Sequence, residues 1–183
     1  MLKGNSYHRD TLNTESVVSA GGAQLMKAGS GISHAESFRE PTEMLQIWFE
    51  PYLNKAIHRE PAYTNYIHED FVTTDKEGIK IKTIIGEKSP IELVTDAKMY
   101  DVTISSGSSY SHNLTSNRTL AGLIIKGDGS ITSEDIQFNH KDFINVHALK
   151  VGIVTFKSNN EEVRIIFIEV PTKVDYPLYN KRH

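Results

Sequence analysis

Short apolar runs rich in β-branched residues recur along this chain, and they lack the three-to-four spacing of an amphipathic helix. They occupy residues 79–85 (IKIKTII), 99–104 (MYDVTI), 120–125 (LAGLII), 151–156 (VGIVTF) and 163–170 (VRIIFIEV). IKIKTII alternates apolar and polar positions, the pattern of a strand with one buried face. IIFIEV is nearly continuous and predicts a buried strand. Turn-forming residues separate the runs: Glu77-Gly78, Ser106-Gly107, Lys126-Gly127-Asp128-Gly129 and Ser158-Asn159-Asn160. Many short strands between Gly and Asn turns predict an all-β sandwich or barrel. The one helical expectation is a single turn at residues 140–143. The turn at Gly127 to Gly129 reads as a hairpin, since no GxxxxGK[ST] pattern follows it.

The pattern divides the chain into a strand-rich block, a connector from Tyr52 to about Asp75, and a second β block. Expressed as domains, the chain falls into residues 1–65 with the connector, a β block at 66–171, and a polar tail at 172–183. At 183 residues the chain is long enough to bury a core. Its formal net charge is −3, and its one basic pair is Lys181-Arg182. That balance gives no basic field for direct nucleic-acid binding or for an anionic membrane. No run approaches the roughly 20 apolar residues of a membrane span. MLKGNSYHRD lacks the apolar core of a signal peptide, so the expected location is the cytoplasm. There are no cysteines, which excludes disulfides, thiolate metal sites and a cysteine nucleophile.

The candidate chemistry sits at His34 and Glu36, just after Gly29-Ser30-Gly31. Residues i and i+2 of a strand share a face, roughly 6.5–7 Å apart at the backbone. An imidazole and a carboxylate so placed can converge on one ion, and the two glycines allow a tight turn before them. That donor pair suits Fe(II), Mn or Ni. By spacing alone, a His-x-Glu is more often a solvated or hydrogen-bonded pair than a pair of ligands.

The surroundings sharpen this. Residues 20–36 resemble the pirin-family segment in which a glycine-led strand ends in a turn followed by His-x-Glu. MLQIWFEP (44–51) is similar to the strand that follows it there, Tyr7-His8-Arg9-Asp10 to the strand before, and IHREPAYTNY (57–66) to the connector beyond. Residues 97–171, with Ser111-His112-Asn113-Leu114 and the Gly127–Gly129 turn, are similar in pattern to the second barrel of bacterial members. Gly22 departs from the family, which usually carries Asp there. The resemblance implies a cupin double-stranded β-helix in two copies, a bicupin, here with an incomplete first barrel. It implies a divalent metal, iron first, with Mn, Ni, Cu or Zn as alternatives. It further implies His34 and Glu36 as metal ligands, with Glu36 also expected to take a proton from a flavonol-like substrate in a quercetin dioxygenase reaction.

The same resemblance requires a His-x-His pair on an earlier strand, and this chain contains none. Weak or absent activity is therefore expected, and Met1 reads as an internal methionine of a longer natural protein. His8 matches a position that is not a ligand and is expected at the surface or barrel mouth. His58, His68, His112, His140 and His147 are expected to be solvated or hydrogen-bonded. An opened barrel exposes strand edges, so homo-oligomers or strand exchange are expected. The competing readings are a non-catalytic regulatory or binding protein of the pirin type and a remnant whose site has decayed; Gly22 and the missing ligands favour the last.

Overall fold

The computed structural model describes residues 1–132 and 134–179; Lys181-Arg182 lies outside the described residues. The chain is nearly all β, as its pattern predicts, with fifteen strands among the described residues. It divides into two units, Met1–Phe71 with the tail from Asp175, and Val72–Val174.

The second unit holds a six-stranded antiparallel sheet in the order β13-β10-β15-β8-β7-β6 and a four-stranded sheet in the order β12-β11-β14-β9. Its strands are β6 (Thr73–Lys76), β7 (Ile79–Ile85), β8 (Lys98–Ile104), β9 (Ser109–Leu114), β10 (Arg118–Lys126), β11 (Gly129–Ile131), β12 (Ile136–Phe138), β13 (Phe143–Ala148), β14 (Gly152–Ser158) and β15 (Val163–Pro171). Alternation works as expected. On β10 the buried positions are Leu120, Gly122 and Ile124. On β15 the row Val163, Ile165, Phe167 and Glu169 faces inward, and Ile166 is buried as well, which explains its nearly continuous apolar reading. Phe138, Phe156 and Phe167 anchor the core, each burial contributing roughly 1.5–3 kcal/mol.

Two expectations about this unit are corrected. Residues 140–143 form a reverse turn, not a helical one: Lys141 has φ 72°, the Asn139 N–H donates to Asp142 Oδ2 at 2.7 Å, and Phe143 already begins β13. The Gly127–Gly129 turn is not a hairpin, because β10 and β11 belong to different sheets. It is a corner between sheets, with Gly127 at φ +80° and its Cβ position 2.4 Å from the Glu162 carbonyl oxygen.

The first unit is built from β1 (Asn5–Asp10), β2 (Glu15–Ser19), β3 (Ala23–Lys27), β4 (His34–Ser37) and β5 (Ala62–Tyr66). They form a three-stranded sheet β2-β1-β4 and a two-stranded sheet β3-β5, and neither closes on itself. Residues 44–51 do not form the expected strand. They alternate in exposure, but no ladder partner exists among the described residues, and Trp48 is 85% exposed. The tail holds this segment instead, the Tyr176 hydroxyl donating to the Glu50 carbonyl at 3.0 Å. The expected connector carries more structure than its polarity suggests: a short helix α1 (Leu53–Ala56), and β5, which pairs with β3 from Ala23↔Tyr66 to Lys27↔Ala62.

That pairing accounts for Gly22. A Cβ there would stand 2.6 Å from the Tyr66 carbonyl oxygen. The glycine is required by close backbone approach, so it is not a sign of decay. Gly22→Asp is expected to destabilise the first unit by about 1–3 kcal/mol, the usual range for overpacking. Urea unfolding followed by circular dichroism measures it.

Candidate metal centre

The site's geometry begins with register. β1 and β4 pair antiparallel, with His8 opposite Glu36 and Asp10 opposite His34. Directly paired residues point to the same face, and so do alternate residues along each strand. Two imidazoles and two carboxylates therefore share one face of the sheet. The sequence placed His34 and Glu36 on one strand; this juxtaposition with β1 was not legible in it. The turn before β4 uses both glycines at positive φ, Gly29 at 53° and Gly31 at 136°.

Burial separates the four. His34 is exposed and Glu36 half-buried. His8 is 3% exposed, which corrects its expected place at the surface or barrel mouth. It lies under Tyr63, ring centroids 4.2 Å apart and planes 16° apart, and its ring centroid is 5.6 Å from that of His34. The His8 Nε2 is 3.0 Å from Asp10 Oδ2. Asp10 Oδ1 accepts the N–H groups of Leu12 at 2.8 Å and Thr14 at 3.0 Å. Burial pushes the Asp10 carboxyl up, but the hydrogen bonds from His8, Thr14 and Leu12 outweigh it and hold the group below its usual range.

An ionised Asp10 can only accept, so the His8 Nε2 carries the hydrogen of this contact, leaving Nδ1 as the ring's other polar atom. That Nδ1 is buried with no hydrogen-bond partner among the described residues. Ser6 Oγ, two residues earlier on the same face, is in the same position. Such a group costs about 1–3 kcal/mol if nothing satisfies it.

Glu36 is held from the other side. The Gln24 side-chain N–H donates to Glu36 Oε1, the Tyr63 hydroxyl donates to Gln24 Oε1 at 3.0 Å, and Ser16 Oγ hydrogen-bonds to Tyr63. Burial raises the Tyr63 hydroxyl above its usual value; the Ser16 hydrogen bond opposes that, and the Glu36 and Asp10 charges add to it. Tyr63 therefore keeps its proton and can act as the donor in this chain.

The donor types suit a divalent ion: imidazole and carboxylate side chains share one face of the sheet. Their number as arranged is smaller. No three His, Asp or Glu groups surround one point among the described residues. Sequence reasoning missed His8, Asp10, Gln24 and Tyr63. The alternation Ser6-His8-Asp10 was a readable signal, but nothing in it told which face of β1 is buried.

His58, His68, His112, His140 and His147 do not join the site. His58 and His140 are exposed, and His147 Nδ1 lies 2.9 Å from Thr119 Oγ1. His112 is buried in the second unit within a separate polar cluster. The Tyr110 hydroxyl is 2.9 Å from its Nδ1, and its Nε2 is 2.9 Å from Glu169 Oε2. Glu169 Oε1 also accepts Arg118 Nε at 2.9 Å and Lys98 Nζ at 3.1 Å. Burial pushes the Tyr110 hydroxyl far up, with smaller contributions from Tyr100 and Glu169. The tyrosine therefore donates to Nδ1, and Nε2 donates to Glu169.

Fold and site together define a cupin-type protein with an imidazole–carboxylate pair on a strand of its first unit. Residues 1–49, which include that pair, match the family model described as Pirin. The chain is 31% identical over 150 residues to Pirin-1 of Arabidopsis thaliana, a match covering 76% of this chain and 52% of that protein. It is 25% identical over 169 residues to a putative quercetin 2,3-dioxygenase of Zymomonas mobilis, covering 90% of this chain and 68% of the relative. Among solved structures, the nickel(II) complex of the bacterial pirin YhhW from Escherichia coli superposes with a TM-score of 0.71 at 20% identity, covering 94% of this chain and 70% of that one. The chain belongs to the pirin family. It spans about half the length of the Arabidopsis relative. None of its described helices is long and apolar enough to cross a membrane.

Proposed function

We propose that this chain is a pirin-type cupin of the flavonol dioxygenase kind that holds a divalent metal through His34 and Glu36 and turns over slowly at most. The observation that carries this reading is the shared face of His34 and Glu36 on β4, opposite the buried His8–Asp10 pair. The Zymomonas relative's name and the nickel complex of YhhW support the substrate class and the metal class respectively. When bound, the ion would supply a Lewis acid and redox centre that brings flavonol and dioxygen together. The chain's own residues do the rest. Glu36 is the acceptor for the flavonol hydroxyl proton, Gln24 orients it, and protonated Tyr63 fixes Gln24. These 183 residues contain no His-x-His pair, and slow turnover is the expectation for them taken alone.

The second reading is a non-catalytic regulatory or binding protein of the pirin type. It is favoured by the donor count, since no three metal-ligating groups surround one point among the described residues.

Loss of quercetin absorbance in air, with added Ni(II) or Fe(II), separates the two. Slow, metal-dependent decay that disappears in His34→Ala and Glu36→Gln supports the first reading. Metal binding without decay moves the assignment to the second. Rapid turnover contradicts the argument from missing donors.

A further inference from the structure

We infer that the free edge of β13 pairs antiparallel with β13 of a second copy of this chain, about a two-fold axis at Val146, with Phe143 of each copy opposite Leu149 of the other. The inference concerns the second unit and does not depend on the chemistry proposed for the first.

β13 ends the six-stranded sheet, and among the described residues its ladder partner is β10 alone. The Ile124 N–H donates to the Asp142 carbonyl at 3.0 Å, and the Asn117 N–H to the Ala148 carbonyl at 2.9 Å. In an antiparallel ladder, alternate residues turn their peptide groups to the same side. Residues 144 and 146 therefore face β10 with 142 and 148, while Phe143, Asn145 and His147 present N–H and C=O groups to the open side. The side chains of these three are exposed, and those of Ile144, Val146 and Ala148 pack on the core. The strand FINVHA carries no charge and no proline, and its register with β10 is unbroken by a bulge. Those are the devices that ordinarily blunt an edge. The other edge of the sheet has them: β6 is four residues long and carries Asp75 and Lys76. An uncharged, proline-free run of this length is a template for strand pairing.

The side chains at the ends of β13 select a second copy as the occupant. Phe143 is 67% exposed at one end, and Leu149 and Val151 are 90% and 73% exposed just beyond the other. An antiparallel copy lays the first end of one strand against the second end of its neighbour. The free peptide groups belong to odd-numbered residues, so new hydrogen-bonded pairs join odd to odd. With the axis at Val146, Asn145 pairs with His147 and Phe143 with Leu149. Asp142 of one copy then lies beside Lys150 of the other at both ends, and opposite charges so placed attract. With the axis at Asn145 instead, Asp142 would meet Ala148 and Leu149 would meet Lys141. Apolar and charge complementarity thus choose the same register. The contact is self-complementary, so it closes as a dimer and does not propagate.

The test is sedimentation velocity of the 183-residue chain from low to high micromolar concentration. The expected result is a reversible monomer–dimer equilibrium, and a monomer throughout overturns the proposal. Phe143→Lys places a charge on the edge and is expected to weaken dimerisation by about tenfold or more. Lys150→Glu sets two carboxylates against each other at both ends and is expected to weaken it by about threefold or more. Adding Asp142→Asn to Lys150→Glu keeps an acceptor for the Asn139 N–H and should recover most of that loss. Far-ultraviolet dichroism checks that each variant keeps the parent's fold. A dimer that neither Phe143→Lys nor Lys150→Glu weakens forms through another edge and overturns the proposal. Absence of recovery in the double variant overturns the register. If Phe143→Lys does not fold, Lys150→Glu decides, because Lys150 lies at an exposed bend outside the strand.

Discussion

Glu169→Ala is expected to destabilise the second unit by about 3–5 kcal/mol, the cost of leaving a buried charge without its partner. Glu169 lies on the inward row of β15 and is 2% exposed. Its carboxylate accepts three charged or polar donors: Arg118 Nε, Lys98 Nζ and His112 Nε2. Arg118 is 12% exposed and has one further carboxylate, Asp96 Oδ2 at 2.5 Å. Removing Glu169 leaves Arg118 with only an exposed counter-charge and strands the His112 N–H in the core. Lys98 is 44% exposed and can turn to water, so it contributes least. Urea midpoints at pH 7 measure the loss.

The same residue gives a pH dependence whose sign can be worked out. Burial alone would raise the Glu169 carboxyl, but the hydrogen bonds from His112 and Lys98 and the charges of Lys98 and Arg118 bring it below the usual 4.5. A carboxylate with a depressed folded value stabilises the protein above its unfolded value and loses that contribution as pH falls through the folded one. The parent should therefore lose stability from about pH 5 downward. Glu169→Gln starts less stable at neutral pH and shows a flatter acid limb. An acid limb of unchanged slope in Glu169→Gln would show that other carboxylates dominate it.

This glutamate also shows where sequence reading stops. The run VRIIFIEV was legible as a buried strand, and its ends were placed within one residue. That Glu169 continues the inward row was not, because its justification lies on three other strands, in Lys98, His112 and Arg118. In the first unit, the period of two in Ser6-His8-Asp10 was present, but both faces of β1 carry polar residues, so hydrophobicity could not choose the inner one. Tyr63 and Gln24 meet Glu36 only because β5 pairs with β3 across about forty residues. Residues 44–51 failed in the opposite direction. MLQIWFEP has the alternation of a strand, but a strand also needs a neighbour to accept its ladder hydrogen bonds, and local pattern does not supply one. His34 and Glu36 were found because both lie on one short strand, where i and i+2 suffice. His8 and Asp10 required the register between strands.

Phe167→Ala is expected to cost the second unit about 3–5 kcal/mol, the range for deleting a buried aromatic ring. Phe167 is fully buried, next to Phe156 at a centroid distance of 4.7 Å and Tyr110 at 5.9 Å. It stands opposite Gly122 on β10, and its ring fills the space a side chain there would occupy, at 3.0 Å from the Cβ position. Gly122 has no atoms with which to close the gap, so collapse around the deletion is limited and the cost should fall in the upper part of the range. The ring also lies beside His112, which pairs with Glu169, with planes 26° apart and centroids at 6.3 Å. Phe167→Ala should therefore weaken that buried pair as well as the apolar core. Double-mutant analysis with Glu169→Gln separates the two effects: a sum smaller than additive shows the coupling, while strict additivity would show that the ring acts through packing alone. Phe167→Leu, which keeps most of the volume, should recover the greater part of the loss in the same urea measurement.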